Sequence, residues 1–367
     1  MQMNFYMPTK VIMADNCVIN HSEEFSKLGT KAMLVTGKSS AKKNGAQDDV
    51  IAALTAQNME YVVFDKVMSN PTIACAYEGA AFAKANNVDL IIAIGGGSPM
   101  DAAKAISLLA AQEIKEEDLF SGNYGKEVIP MIHIPTTAGT GSEVTPYSIL
   151  TNDAKQTKTS IAAPILFPEV ALCDPKYMMH LGMATTINTA IDALSHAVEG
   201  MLSVKATAVT DVMAIESIKK ISACHEALKK RELSLEDRGN LLYASTLAGM
   251  VISHTGTTAV HSMGYSLTYF KDIDHGRANG LLLAGFLRVV EKEIPERTSR
   301  ILEAMGLKTV DELKVWLEEL LGEKENITAE DIAKYSPIAI QAKNIMNCPV
   351  RVNEAQITEI YKESFGI

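Results

Sequence analysis

The 367-residue sequence lacks every pattern that marks a cysteine-based framework. Its five cysteines are odd in number, stand far apart and include no CxxC pair. Disulfide scaffolds and thiolate zinc sites need closely matched cysteines, so neither is indicated. Widely spaced cysteines are typical of a reducing compartment, and we expect a cytoplasmic protein. The cysteines are Cys17, Cys75, Cys173, Cys224 and Cys348.

Positive charge and long apolar runs are also scarce. The chain has 34 Lys and Arg against 44 Asp and Glu, a net charge of −10. Nucleic-acid binding requires a basic face, so we expect no nucleic-acid partner. No stretch approaches the roughly 18 apolar residues of a membrane span, and the first ten residues are too polar for a signal peptide. We therefore expect no membrane association.

Short apolar runs alternate with helical patterns in the first half of the chain. Aliphatic runs bounded by Gly, Pro, Asp or Asn predict strands at residues 32–36, 61–64, 90–94, 130–134 and 170–173. Helical periodicity covers residues 48–57, 72–86 and 100–111. This order predicts an α/β domain with a parallel sheet, over residues 1–177. The polar segment 150–160 predicts a loop or a hairpin.

From about Pro175 onward almost every segment has helical periodicity. The second domain, residues 178–367, is therefore predicted to be all-helical. Its apolar residues recur at three- and four-residue spacing in residues 184–203, 207–230, 235–253, 281–292, 309–321, 329–335 and 354–365.

A glycine-rich turn, Gly-Gly-Gly-Ser-Pro-Met-Asp at residues 95–101, follows the predicted strand 90–94. We predict that Ser98 caps the next helix, with Pro99 at its first position and Asp101 completing a capping box. Glycines let a ligand lie against the backbone, and a helix N-terminus attracts a pyrophosphate. The spaced GxGxxG fingerprint is absent, and a purely structural turn is the alternative.

Two further loops suit a dinucleotide. Residues 135–143 supply four hydroxyls and two glycines after a predicted strand, where ligands of open α/β sheets bind. Residues 37–43 follow the strand 32–36 and contain serines and lysines but no acid. NAD-binding folds place an acid near this point for the ribose 2′-hydroxyl, whereas lysines suit a 2′-phosphate. This loop favours NADP(H) over NAD(H), unless its lysines are merely exposed.

Asp192 and His196 share one helix face, because they are four residues apart in a segment of small and apolar residues. A buried carboxylate needs a partner or a metal. His261 also stands among small and apolar residues, and His275 precedes a glycine. Three imidazoles with one carboxylate suit Fe(II) or Zn(II). A single pair at this spacing is more often a hydrogen-bonded structural pair than a metal site. Spacing alone does not place His261 and His275 beside this pair.

The remaining histidines are interpreted as core or surface residues. His254 stands two turns before His261, and the pattern allows one helix to carry both. The five are His21, His133, His180, His225 and His254.

The motifs together resemble the iron-containing (group III) alcohol dehydrogenase family, in its 1,3-propanediol and butanol dehydrogenase-like branch. The resemblance covers nearly the whole chain. It implies a Rossmann-like dinucleotide-binding domain, a helical metal-binding domain and a homodimer or larger homo-oligomer. It is carried, in order, by residues 5–10, 37–40, 42–45, 70–72, 95–101, 135–143, 192–199 and 275–276.

The resemblance also implies the site residues. It assigns the metal, Fe(II) with Zn(II) as the alternative, to Asp192, His196, His261 and His275. Tyr265 stands where many members carry a second histidine, so a proton relay through that histidine does not transfer to this chain. The cofactor positions that it implies are Gly37, Ser39, Ser40, Asn70, Gly97, Ser98, Thr136, Thr137, Thr140 and Lys158.

The activity implied is hydride transfer between NADP(H) and a small primary alcohol, diol or aldehyde, with the metal polarising the substrate oxygen. One alternative is an NAD-dependent, glycerol-type polyol dehydrogenase. A dehydroquinate synthase-like lyase would need several basic residues, and Arg277 alone stands near the implied ligands. A non-catalytic nucleotide-binding protein is disfavoured by the complete ligand set.

Overall fold

A computed structural model describes residues 3–367 of the chain. The chain divides into two compact units. Residues Met7–Leu181 form an α/β unit, and Gly182–Ile367 form a helical unit that also includes residues 3–6. The division falls after Leu181, whereas the predicted boundary follows Tyr177.

The α/β unit is built on a parallel sheet, which is six-stranded in the described residues and has the order β1-β8-β5-β4-β2-β3. An antiparallel hairpin, β6–β7, lies outside it. The strands are β1 (Lys10–Met13), β2 (Lys31–Gly37), β3 (Glu60–Val67), β4 (Leu90–Gly95), β5 (Met131–Pro135), β6 (Tyr147–Asn152), β7 (Thr157–Ala162) and β8 (Val170–Cys173).

Both faces of the sheet are covered, so alternate residues of its central strands enter different cores. Ile92 of β4 packs in the same cluster as Leu54, whereas Ile91 packs in the cluster of Ile106. All six residues of β4 are buried. Burial on both faces explains why these strands read as continuous apolar runs rather than as alternating patterns.

The helices of this unit lie between the sheet strands along the chain, from β1 to β5. All five predicted strands and the three predicted helices are present, and the polar segment 150–160 lies in the hairpin. The short edge strand β1 was not predicted; it is only four residues long and partly exposed. The helices are α1 (Cys17–Asn20), α2 (Glu23–Ser26), α3 (Ser40–Lys43), α4 (Ala46–Ala56), α5 (Ile73–Ala85) and α6 (Gly97–Ala111).

The predicted cap of α6 is wrong. The helix begins at Gly97, its N-cap is Gly96, and no side-chain capping bond is formed. Ser98 Oγ instead accepts from the Asn70 amide at 3.2 Å. Asp101 accepts from Ser142 Oγ at 2.7 Å and from a β6 amide. Tertiary hydrogen bonds thus occupy both side chains that the local pattern assigned to a capping box.

The second unit is all-helical over Gly182–Ile367, so the predicted fold class is confirmed. Among residues 3–367, no helix has the length and hydropathy needed to cross a membrane. The helices are α7 (Met183–Met201), α8 (Ala208–Ala223), α9 (His225–Lys230), α10 (Leu235–Thr255), α11 (Ala259–Lys271), α12 (His275–Glu291), α13 (Pro295–Met305), α14 (Val310–Leu321), α15 (Ala329–Ile340) and α16 (Glu354–Phe365).

Four features of this unit were not predicted from the pattern. The helix predicted at 207–230 is interrupted at Cys224. Helices α11 and α13 were not predicted. Helix α13 is rich in charged residues, whereas α11 is buried over most of its length and has no polar face to reveal its helical period. Helix α10 ends before Gly256, whose φ is 64°, so His254 and His261 lie on different helices.

Candidate metal centre and cofactor loops

The four implied metal ligands converge in the helical unit. Asp192 and His196 lie on α7, His261 on α11, and His275 is the first residue of α12. Asp192 Oδ1 lies 3.9 Å from His196 Nε2, 3.7 Å from His261 Nε2 and 3.8 Å from His275 Nε2. The structure therefore brings together one carboxylate oxygen and three imidazole nitrogens that spacing along the sequence alone left separate.

This donor set fits a divalent metal. Metal–nitrogen and metal–oxygen bonds of about 2.1 Å in a tetrahedral site separate the ligand atoms by roughly 3.4 Å. The 3.7–3.9 Å separations around Asp192 Oδ1 are close to that value. Ligand atoms of Asp192, His261 and His275 all lie within 4.8 Å of one another, whereas His196 is not part of that closer group and approaches it through Asp192 Oδ1 at 3.9 Å. Neutral imidazoles with a carboxylate suit Fe(II) or Zn(II).

The imidazoles are packed against one another and against Tyr265. The His196 and His261 rings stack at 4.7 Å, and Tyr265 stacks on His275 with its centroid at 5.6 Å and an interplanar angle of 11°. Asp192, His196 and His261 are buried, while the His275 side chain is 25% exposed. Tyr265 thus packs against the most exposed member of the set.

Two residues at this centre were missed by the sequence reasoning. Asn279 donates from Nδ2 to Asp192 Oδ1 at 3.0 Å, and the same nitrogen lies 3.1 Å from His261 Nε2 and 3.3 Å from His275 Nε2. The second is Glu199, a fully buried carboxylate that accepts from His261 Nδ1. The available signals were helical spacings: Asn279 is four residues after His275, and Glu199 is three after His196.

Burial alone would raise the pKa of Glu199, but His261 and the hydrogen bonds from Thr258 outweigh burial and hold it below its ordinary value. Glu199 is therefore an anion in the interior of the helical unit. Its contact with His261 Nδ1 identifies that nitrogen as the protonated one, which leaves the Nε2 lone pair on the side of Asp192.

Close approach of α7 and α12 depends on Gly276. A Cβ atom at this position would lie 1.9 Å from the Asn188 carbonyl oxygen and 2.9 Å from Asp192 Cβ. Glycine therefore lets the first turn of α12, which carries His275, lie against the α7 backbone beside Asp192.

In the α/β unit, two of the predicted cofactor loops pack directly on each other. A Cβ atom on Gly96 would lie 2.9 Å from Thr137 Oγ1, and one on Gly97 would lie 2.8 Å from Thr140 Cγ2. The Thr136 amide donates to the Gly95 carbonyl at 2.8 Å. The glycine turn and the threonine loop thus form one continuous surface at the carboxyl ends of β4 and β5.

Asn70 joins a third segment to this surface. Its backbone is left-handed, with φ of 57°; its amide donates to Ser98 Oγ, and its carbonyl accepts from Thr151 Oγ1 at 3.0 Å. Lys158 is the partner of Thr151 across the β6–β7 hairpin. The structure therefore groups Asn70, Ser98 and Lys158 near the glycine turn.

Gly37, Ser39 and Ser40 lie at the end of β2 and the start of α3. Because β2 is parallel to β4, Gly37 and the Gly95 turn lie at the same edge of the sheet. An acidic residue of β3 lies beside this loop, residues 37–43, although the loop itself contains none. Lys42 pairs with Asp65 of β3 at 2.9 Å, and this contact lowers the pKa of Asp65. Half-exposed carboxylate and ammonium groups thus stand together beside the loop.

A buried lysine, Lys104, holds the C-terminal end of the threonine loop (residues 135–143) through Ser142. Lys104 of α6 is fully buried, and its three N–H donors are shared among four oxygens within hydrogen-bond distance: Ser142 O at 2.7 Å, Ser142 Oγ at 2.8 Å, Tyr147 O at 2.9 Å and Thr145 Oγ1 at 3.2 Å. Burial, opposed by the charges of Asp101 and Glu143, lowers the pKa of Lys104 to about 8. At neutral pH the side chain is therefore mainly an ammonium.

Replacing Lys104 with methionine is expected to destabilise the α/β unit by about 3–5 kcal/mol, because two acidic neighbours and four acceptors lose their buried cation. Urea unfolding at pH 7 measures the change. Lys84→Met is the matched control: Lys84 forms an exposed pair with Glu113, and its loss should change stability by less than about 1 kcal/mol. Equal stabilities of the two variants would contradict this role of Lys104.

The other histidines occupy structural positions. His133 lies on β5, where burial lowers its pKa well below the ordinary value and keeps it neutral. His225 stacks on Trp316, and His254 stacks on Phe5 at 4.4 Å. His180 and His21 lie towards the surface.

Two family models match the chain in succession. The model for iron-containing alcohol dehydrogenase matches residues 8–175, and the model for the C-terminal part of the Fe-containing alcohol dehydrogenase family matches residues 186–365. The 1,3-propanediol dehydrogenase of Citrobacter freundii is 32% identical over 389 residues, which cover 99% of this chain and 97% of the relative.

Two other comparisons agree. The NAD-dependent methanol dehydrogenase of Bacillus methanolicus is 30% identical over 304 residues, covering 83% of this chain and 80% of the relative. The crystal structure of an iron-containing alcohol dehydrogenase from Thermotoga maritima superposes with a TM-score of 0.93 at 40% identity and covers 99% of both chains.

These matches define the class as alcohol dehydrogenases, oxidoreductases that act on CH–OH groups. Within that class, the chain belongs to the iron-containing alcohol dehydrogenase family, which confirms the resemblance drawn from its motifs. Membership implies iron and a nicotinamide dinucleotide of the NAD(H) type as cofactors. It also excludes the lyase and the non-catalytic nucleotide-binding protein.

Proposed function

We propose that this enzyme interconverts small primary alcohols or diols with the corresponding aldehydes, using NADP(H) and a divalent metal held by Asp192, His196, His261 and His275. The observation that carries the proposal is the convergence of three imidazole nitrogens within 3.9 Å of Asp192 Oδ1. The name of the 1,3-propanediol dehydrogenase relative supports a diol among the substrates.

Bound at this centre, Fe(II) or Zn(II) would supply Lewis-acid polarisation of the substrate oxygen. The chain supplies the donors and their arrangement. With a divalent ion held by three neutral imidazoles and one carboxylate, the centre would carry a net positive charge, which would suit this Lewis-acid role. His275 is the most exposed of the four side chains, so we propose that substrate approaches from its side.

We propose that the dinucleotide binds the surface formed by the glycine turn and the threonine loop. In support, no side chain caps α6, and helix N-termini attract pyrophosphate. Glycine at positions 96 and 97 keeps the two loops in contact. The residues assigned to this role are Gly37, Ser39, Ser40, Asn70, Gly97, Ser98, Thr136, Thr137, Thr140 and Lys158.

A preference for NAD(H), as in a polyol dehydrogenase, is the second candidate. The lysines of residues 37–43 support a 2′-phosphate, but one of them, Lys42, is paired with Asp65. A carboxylate at this edge could instead accept a hydrogen bond from the ribose 2′-hydroxyl. The name of the NAD-dependent relative from Bacillus methanolicus also favours this candidate.

An anaerobic aldehyde assay tests cofactor and metal together. Enzyme stripped with a chelator is expected to lose butyraldehyde reduction and to regain it when Fe(II) or Zn(II) is added back, because the metal supplies several kcal/mol of transition-state stabilisation. Faster oxidation of NADPH than of NADH supports the proposal; the reverse ratio establishes the second candidate. Full activity of verified metal-free enzyme would contradict the metal assignment.

The cytoplasmic location and the homo-oligomeric state remain predictions of the sequence analysis. Light scattering of the purified chain measures the oligomeric state.

A further inference from the structure

Glu199 is a buried carboxyl group that the proposed ligand set does not use. It lies on α7, one turn after His196, and its side chain is 0% exposed. An ionised carboxylate in the interior is costly unless hydrogen bonds compensate for the lost water. The hydrogen-bond partners of this carboxylate must therefore compensate for the cost of its burial.

Both oxygens of Glu199 are occupied by groups of one segment. Oε1 accepts from the Thr258 amide at 2.8 Å and from the Thr258 hydroxyl at 2.7 Å. Oε2 accepts from His261 Nδ1. Thr258 is the N-cap residue of α11, so the carboxylate also lies at the positive end of that helix. Glu199 therefore holds the start of α11 and its histidine at the same time.

The contact with Nδ1 determines what the opposite nitrogen can do. A neutral imidazole carries one proton, and an acceptor at Nδ1 retains it there. Nε2 then presents a lone pair, and it lies 3.7 Å from Asp192 Oδ1. A carboxylate behind a metal-binding histidine also makes that histidine a stronger ligand.

We propose that Glu199 is a positioning residue that holds His261 in the Nδ1–H tautomer and directs its Nε2 to the metal. The proposal rests on the proposed metal centre. The competing interpretation is a structural tie between α7 and α11, which would affect stability but not the metal affinity of the folded protein.

Glu199→Gln discriminates between the two because it preserves size and removes an acceptor. In one orientation, the Gln NH₂ group faces His261 Nδ1 and moves the ring proton to Nε2. In the other, it faces the Thr258 amide, which is itself a donor. The first orientation changes the His261 tautomer; the second keeps an acceptor at Nδ1 but sets two N–H donors against each other at Thr258 and so displaces the start of α11 that carries His261. Both leave the volume of the side chain unchanged.

The measurement is the affinity of the full-length, metal-free protein for Co(II), followed by its visible absorption bands. Glu199→Gln is expected to weaken Co(II) binding by about 10–100-fold and to alter the bands, the usual effect of losing a partner of a metal-bound histidine. Glu226→Gln is the matched control, because Glu226 is 68% exposed and should leave affinity and spectrum unchanged.

Unfolding in urea separates stability from metal affinity. A loss of affinity below about threefold in folded Glu199→Gln overturns the proposal. If that variant does not fold, the same threshold applies to Thr258→Val, which removes one of the bonds that hold the carboxylate. Failure of the metal centre itself has a different signature: wild-type protein would bind no stoichiometric Co(II), or His261→Ala would bind it equally well.

Discussion

Substitution of His261 by alanine is expected to reduce turnover by at least roughly a thousandfold. The proposed metal supplies several kcal/mol of transition-state stabilisation, and each 1.4 kcal/mol corresponds to a factor of ten. His261 lies at the centre of the cluster: its Nε2 is 3.7 Å from Asp192 Oδ1, its ring stacks on His196, and its Nδ1 contacts Glu199. Its loss removes one ligand and leaves two buried carboxylates less compensated.

Steady-state aldehyde reduction, metal content and NADPH fluorescence together check this expectation. NADPH binding should change by less than about twofold, because the proposed cofactor loops belong to the α/β unit. His254→Ala is the matched control, since His254 stacks on Phe5 and accepts from the Tyr6 amide at 3.0 Å. If His275→Ala, which removes another proposed ligand, retained full activity, the ligand assignment would be wrong.

Gly276→Ala is expected to cost about 2–3 kcal/mol of stability and to weaken metal binding. An exposed helical glycine normally gains from this change, by up to about 1 kcal/mol. Here the new Cβ would lie 1.9 Å from the Asn188 carbonyl oxygen. Because the obstacle is backbone, α7 and α12 must separate, and overpacking of this kind costs about 1–3 kcal/mol. The separation also moves His275 away from Asp192.

Thermal unfolding and Co(II) titration measure the two effects. In a unit of this size, each kcal/mol corresponds to about 2–4 °C in Tm. Gly182→Ala is the control, because Gly182 has a φ of −58° and no atom lies within 4 Å of its Cβ position. A Gly276→Ala protein as stable as wild type and as tight for Co(II) would show that α7 and α12 do not need this contact.

Local chemistry accounts for what could be predicted. The strands of the parallel sheet are apolar because both faces are covered, so composition alone revealed them. The glycine turn and the threonine loop were recognised because their residues suit phosphate and ribose oxygens. The prediction that Ser98 caps α6 was wrong because a contact between distant residues, not local chemistry, determines the position of its side chain. The Ser98 hydroxyl, which the local pattern assigned to the end of the helix, accepts from the backbone amide of Asn70, 28 residues away.

The sequence by itself determined the fold class, the family and the Asp192–His196 pair, because helical spacing places residues four apart on one face. Spacing could not attach His261 and His275 to that pair, because they come from other helices; the family resemblance assigned them to it, and the tertiary structure places their Nε2 atoms 3.7 and 3.8 Å from Asp192 Oδ1. It alone placed Glu199 behind His261, Asn279 among the ligand atoms and Asp65 beside Lys42. Spacing along a helix is a local property, whereas these contacts depend on packing between segments distant in the chain.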